Sequence, residues 1–188
     1  MQVKNEQIRF RHDFVHLFLK ISGCTVRGFD PTSNVKRPKN SYHPNIHYYN
    51  IGLNNENGKS YFASISTGHQ ELVPIRTLET LIQENGDIGK TITYLKIDIE
   101  GMEFMCFENW FKTGVFERVD QLGLEVHMHP FFLKDVNVKK WFHGLRNHLL
   151  KLSEYGFDFV EVEPNKCIGK SLDKNNTYYT HNDLLFVK

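Results

Sequence analysis

The sequence predicts an α/β domain, an open and mostly parallel sheet with helices on both faces and a C-terminal antiparallel hairpin. Three observations predict it. Segments with apolar residues at helical spacing alternate with short runs rich in Ile, Val, Tyr and Phe. Two of those runs, around Ile97 and Leu124, are apolar almost throughout, as strands buried on both faces are. The last two runs, near Phe159 and Phe186, follow one another through a polar stretch with no helical pattern between them.

In chain order, Phe14, Leu17, Phe18 and Ile21 recur at helical spacing before Gly23, which predicts a first helix. A strand over Cys24–Phe29 then runs into Asp30 and Pro31, and the polar, proline-broken stretch Thr32–Asn45 reads as a loop. Ile46–Leu53, a turn at Asn54–Gly58 and Tyr61–Ile65 suggest a strand and hairpin. Leu78, Leu81 and Ile82 mark a helix over Thr77–Glu84. Thr91–Ile99 reads as a buried strand, broken by Gly101 before a helix from Glu103 to about Lys112. A second buried strand covers Gln121–Met128, and Val138, Trp141, Leu145, Leu149 and Leu152 trace a long helix ending at Gly156. Strands over Phe157–Val162 and Leu184–Val187 close the chain, joined by the polar segment Pro164–Asp183. No internal repeat is visible, so 188 residues with 40% hydrophobic content are expected to form one domain, 1–188.

Composition narrows the function. Lys plus Arg number 23 against 22 Asp plus Glu, and this balance gives no reason to expect nucleic acid as a partner. No run reaches the length of a membrane helix, and Met1–Phe10 lacks the apolar core of a signal peptide. The chain is therefore expected to be soluble. Cys24, Cys106 and Cys167 are odd in number and widely spaced, which favours neither a disulfide framework nor a cysteine metal site and mildly favours a reducing compartment. The sequon at Asn175–Thr177 is of a kind that arises often by chance. Lys36, Arg37 and Lys39 read as a solvated loop, and Trp110, Phe111, Trp141 and Phe142 as packing residues.

In an open α/β sheet, ligands bind beyond the carboxyl ends of the strands. Asp30 sits at one such end, either as an acceptor for ribose hydroxyls or as a turn-initiating residue before Pro31. Asp98 and Glu100 end another, and strand alternation puts them on one side with Lys96, which would partly neutralise them. A buried strand has little reason to carry Asp98 unless its end opens into a site, whereas Glu103 suits the positive end of the following helix. Glu125, His127 and His129 alternate along the next strand, where a catalytic, substrate-binding or hydrogen-bonded structural role remains open. No metal site is assigned, because the spacing carries no metal-binding signature. A metal hydrolase on Asp98, His127 and His129 stays as one alternative.

LKIDIEGMEF at Leu95–Phe104, LGLEVHMH at Leu122–His129 and GCTVRGFDP at Gly23–Pro31 resemble the FkbM-type methyltransferase-like family. The resemblance implies a Rossmann-like sheet and S-adenosylmethionine as cofactor. It implies that Asp30 holds the ribose, Gly52 and Leu53 lie by the adenine, and Asp98 and Glu100 line the methionine and acceptor end. Glu125 and His127 would be neighbours on the acceptor side, with Asp98 or His127 as the base. It leaves the acceptor, small molecule or protein, and the oligomeric state unspecified. Family members also place a strand and a Gly-rich turn before the first helix, yet Met1–Asp13 holds no glycine. The expectation is a first strand and Gly-rich loop missing or degraded, with weak or absent cofactor binding. Two or three backbone hydrogen bonds lost at about 1 kcal/mol each would move a micromolar ligand toward the millimolar range. A noncatalytic binding or scaffold domain on the same fold is the other alternative.

Overall fold

The computed structural model describes residues 23–31, 44–63, 70–127, 138–164, 168–170, 177–179 and 181–188. The expected first helix, the basic loop at Lys36–Lys39, His129, Cys167, and Asn175 and Asn176 of the sequon lie outside them. The chain divides into two compact units, Met1–Gly52 with Gly58–Ile75, and Leu53–Asn57 with Arg76–Lys188.

In the first unit, β1 (Val26–Phe29) and β2 (Ile46–Tyr49) run parallel, with Gly28 opposite Tyr48. A Cβ on Gly28 would lie 2.5 Å from the Tyr48 ring, so a side chain at this β1 position would require the exposed Tyr48 ring to shift. Phe29 and Tyr49 stack at the same end of the pair. β3 (Gly52–Leu53), β4 (Gly58–Ala63) and β5 (Gln70–Arg76) form a three-stranded sheet in the order β3-β5-β4. The hairpin expected between the Ile46 and Tyr61 runs is absent among the described residues, because β2 pairs with β1, and β4 pairs antiparallel with β5. β5 itself was not foreseen. Its Pro74 argues against a strand, yet it faces Lys59 on β4, and β3 on the other side contributes only two residues.

The second unit holds the hydrophobic core. Leu53 packs against that core, and Asn57 receives a hydrogen bond from the Thr77 amide. Thr77 in turn caps α1 (Leu78–Glu84) by accepting from the Thr80 amide. β6 spans only Leu95–Ile97, shorter than the expected Thr91–Ile99, and Ile92 makes a single bridge to Val119. The strand stops because the chain turns sharply. Glu100 takes a positive φ of 59° and Gly101 one of 101°, a backbone state that costs any residue but glycine. α2 (Glu103–Thr113) follows and ends at left-handed Gly114.

β7 (Gln121–His127) is buried from Leu122 onward, as its apolar run predicts. α3 (Val138–Lys151) continues as a short 3-10 turn to Tyr155, and Gly156 stops it. β8 (Asp158–Pro164) and β11 (His181–Val187) are the expected antiparallel pair, and β9 (Ile168–Lys170) with β10 (Thr177–Tyr179) forms a small antiparallel pair between them. The four-stranded sheet has the order β6-β7-β11-β8. β6 and β7 are parallel, while β11 is antiparallel to both β7 and β8. The architecture is thus mixed α/β as expected, in smaller and more mixed sheets than one open, mostly parallel sheet. Trp110, Phe107, Phe116, Leu122, Leu124 and Leu152 are fully buried against it, consistent with a packing role for Trp110 rather than base stacking.

Candidate functional site

Parallel β6 and β7 end side by side, with Lys96 opposite Gly123 and Ile97 opposite Leu124. Their carboxyl ends carry Asp98 and His127, and the turn at Glu100–Gly101 brings the first residue of α2 back beside them. Glu103 is 2% exposed. Its Oε1 accepts a hydrogen bond from the Ile99 amide at 3.0 Å and lies 3.0 Å from His127 Nδ1. On the other side of the ring, His127 Nε2 lies 3.6 Å from Glu100 Oε2 and 3.9 Å from Asp98 Oδ1. Glu125, two residues back on β7, is 4% exposed and has its Oε2 4.0 Å from Lys96 Nζ. Lys96 also pairs with Asp183, which β11 places opposite Glu125.

These neighbours set the charge states. Burial pushes the Glu125 carboxyl up to about 7, and the negative charges of Asp98 and Asp183 push the same way, with Lys96 and His127 offsetting only part. For His127, burial acts to lower the imidazole, but the hydrogen bond and charge of Glu103, then Asp98 and Glu100, outweigh it and the net direction is up. The result is a buried ring, among carboxylates of which Glu100 is exposed, that takes a proton readily and could serve in proton transfer in its neutral form. Oxygen or nitrogen atoms of Asp98, Glu125 and His127 also lie within 4.8 Å of one another, close enough to hold one metal ion. Two of the three, Asp98 and His127, belong to the hydrolase trio proposed from sequence, whose third member, His129, lies outside the described residues.

A family model described as a methyltransferase domain matches residues 4–166, most of the chain. The chain belongs to the methyltransferase-domain family. No curated protein and no solved structure matches it. Within this methyltransferase domain, the structure gathers Asp98, Glu100, Glu125 and His127 at one end of β6 and β7. Asp30 and Gly52 belong to the first unit and Leu53 to the second. Asp30 follows β1 directly, and its amide donates to the Tyr49 carbonyl. At Gly52, a side chain would meet Ile75 and Phe62, each 3.2 Å from its Cβ.

Two members of the charged cluster escaped the sequence reading. Glu103 satisfies the helix start as expected but also binds His127. The signal was its buried place after the Glu100–Gly101 turn, which alternation alone does not reveal. Asp183 lies one residue before the apolar run Leu184–Val187, and only the register of β11 against β7 brings it to Glu125. No helix among the described residues is long and apolar enough to cross a membrane.

Proposed function

We propose that this chain is an S-adenosylmethionine-dependent methyltransferase domain of the FkbM type, with its acceptor end at the carboxyl ends of β6 and β7. The observation that carries the reading is His127, buried between the carboxylates of Glu103, Glu100 and Asp98 at the end of a parallel strand pair. The family generally uses this cofactor, and the donor set fits it, since Asp98 and Glu100 offer negative charge to a cationic sulfonium and ammonium. The two parallel strands with an antiparallel strand pair at the C-terminus support a Rossmann-like sheet.

When bound, the cofactor supplies a methyl group carried on a positively charged sulfur. The residues of this chain orient the acceptor and manage its proton. Asp98 Oδ1 or His127 Nε2 takes the proton from the acceptor's hydroxyl, thiol or amine as the new bond to carbon forms. Glu100 and Glu125 line the acceptor side, where Glu125, held up to about 7, spends part of the neutral range protonated and able to donate a hydrogen bond. Asp30 holds the ribose hydroxyls, and Gly52 and Leu53 lie by the adenine, in the roles the family resemblance implies. The methyl acceptor is a small molecule or a protein side chain. Calorimetric titration of the chain with S-adenosylhomocysteine, carried to millimolar ligand because Met1–Asp13 holds no glycine for close cofactor approach, tests the reading: a weak but saturable heat is expected from wild type and a still weaker one from Asp30→Ala. Identical heats from the two proteins would remove Asp30 from the site, and no heat from either up to millimolar ligand would sink the proposal.

A further inference from the structure

We propose that Glu103 is a positioning residue that fixes the His127 ring with its proton on Nδ1, so that Nε2 is the atom turned toward Asp98 and Glu100. One oxygen, Glu103 Oε1, anchors two elements at once. It accepts from the Ile99 amide in the turn after β6, and it lies at the same 3.0 Å from the His127 ring at the end of β7. An oxygen already accepting from a backbone amide is an acceptor, so Nδ1 must donate to it. That assignment leaves Nε2 as the position that gains and loses a proton.

The geometry makes this more than a helix-end contact. Glu103 is the first residue of α2 and is 2% exposed, whereas complementing a helix dipole does not require burial. Burying a carboxylate is costly unless it is fully hydrogen-bonded. Here the return is orientation, because the bond to Nδ1 bears on both the tautomer and the plane of the ring. The groups facing His127 among the described residues are Glu103 from α2, Asp98 and Glu100 from the turn after β6, and Glu125 on its own strand. His181 stands opposite it in register on β11. Glu103 lies 3.0 Å from the ring, against 3.6 Å for Glu100 and 3.9 Å for Asp98.

This inference rests on the reading of His127 as a proton-accepting group, and its test needs no turnover. The imidazole nitrogens of the isotopically labelled full chain are followed by NMR across the neutral pH range, with His127 identified by its loss in His127→Gln. The neutral wild-type ring is expected to carry its proton on Nδ1. In Glu103→Gln the amide oxygen still accepts from Nδ1, so the tautomer is kept, but the negative charge is gone and the titration midpoint falls by about one pH unit. In Glu103→Leu, provided circular dichroism shows a folded chain, the preference for Nδ1–H is lost. A neutral wild-type ring protonated on Nε2, or a Glu103→Gln midpoint equal to that of wild type, overturns the proposal. If these shifts appear as expected while labelled S-adenosylmethionine neither binds nor reacts, the methyltransferase reading fails and the positioning role of Glu103 stands.

Discussion

Replacing Glu125 by Gln should stabilise the protein at alkaline pH and leave it little changed in acid. Folding holds the Glu125 carboxyl at about 7 against an ordinary 4.5, so the folded chain binds a proton there more tightly than the unfolded chain. The sign follows directly. This contribution to stability is fully present below 4.5 and is lost as pH rises through about 7, where the buried group must ionise beside Asp98 and Asp183. A shift of about 2.5 units corresponds to about 3 kcal/mol once the group is fully ionised, near pH 8, and to about 1 kcal/mol at pH 5. Gln keeps the shape and removes the charge, and Lys96 retains Asp183. For a chain of this length about 3 kcal/mol is a rise of roughly 6–12 °C in melting temperature. Urea unfolding of both proteins from pH 5 to 8 reads the effect. His127, also shifted upward, adds a decline in the same direction in both proteins, and because its charge acts on Glu125 the difference between them reports Glu125 together with its interaction with His127. Stability curves that stay parallel across that range would refute the assignment of a raised carboxyl.

Other expectations follow from the same geometry. Asp98→Asn should melt within a few degrees of wild type yet abolish methyl transfer, as measured with labelled cofactor; a large fall in melting temperature with activity intact would make Asp98 structural. Asp30→Ala should weaken S-adenosylhomocysteine binding by about 1.5–3 kcal/mol, the worth of a hydrogen bond to a charged group, measured by calorimetry. Leu124→Ala, in the fully buried centre of β7, should cost about 2–5 kcal/mol in denaturant unfolding, whereas Tyr61→Ala, 67% exposed on β4, should cost well under 1 kcal/mol.

β7 was legible in the sequence because a strand buried on both faces needs an unbroken apolar run, and Leu122–Val126 is one apart from Gly123 and Glu125. The pairing of His127 with Asp98 was legible for a related reason. Period-two alternation puts Glu125 with His127 and Lys96 with Asp98, and parallel neighbours bring the two sets to one end. Glu103 was not. Its second role depends on a turn that puts Glu100 in the left-handed region, a state that local propensity disfavours and that only the packed surroundings impose. β5 was hidden by Pro74, whose missing amide speaks against a strand interior, and the strand survives because its ladder with β4 supplies most of its pairing. The length of β6 was overread because Thr91–Tyr94 has the composition of a strand, although only Ile92 makes a bridge there.

The central claim is that the carboxyl ends of β6 and β7 form the reacting end of a cofactor site. The most direct measurement is an amide NMR titration of the full chain with S-adenosylhomocysteine carried to millimolar concentration, which registers weak binding as readily as tight. Saturable shifts are expected at Asp98–Gly101 and at Glu125–His127, and they should shrink in Asp98→Asn. A folded protein whose amides at those positions stay fixed throughout the titration would contradict the claim.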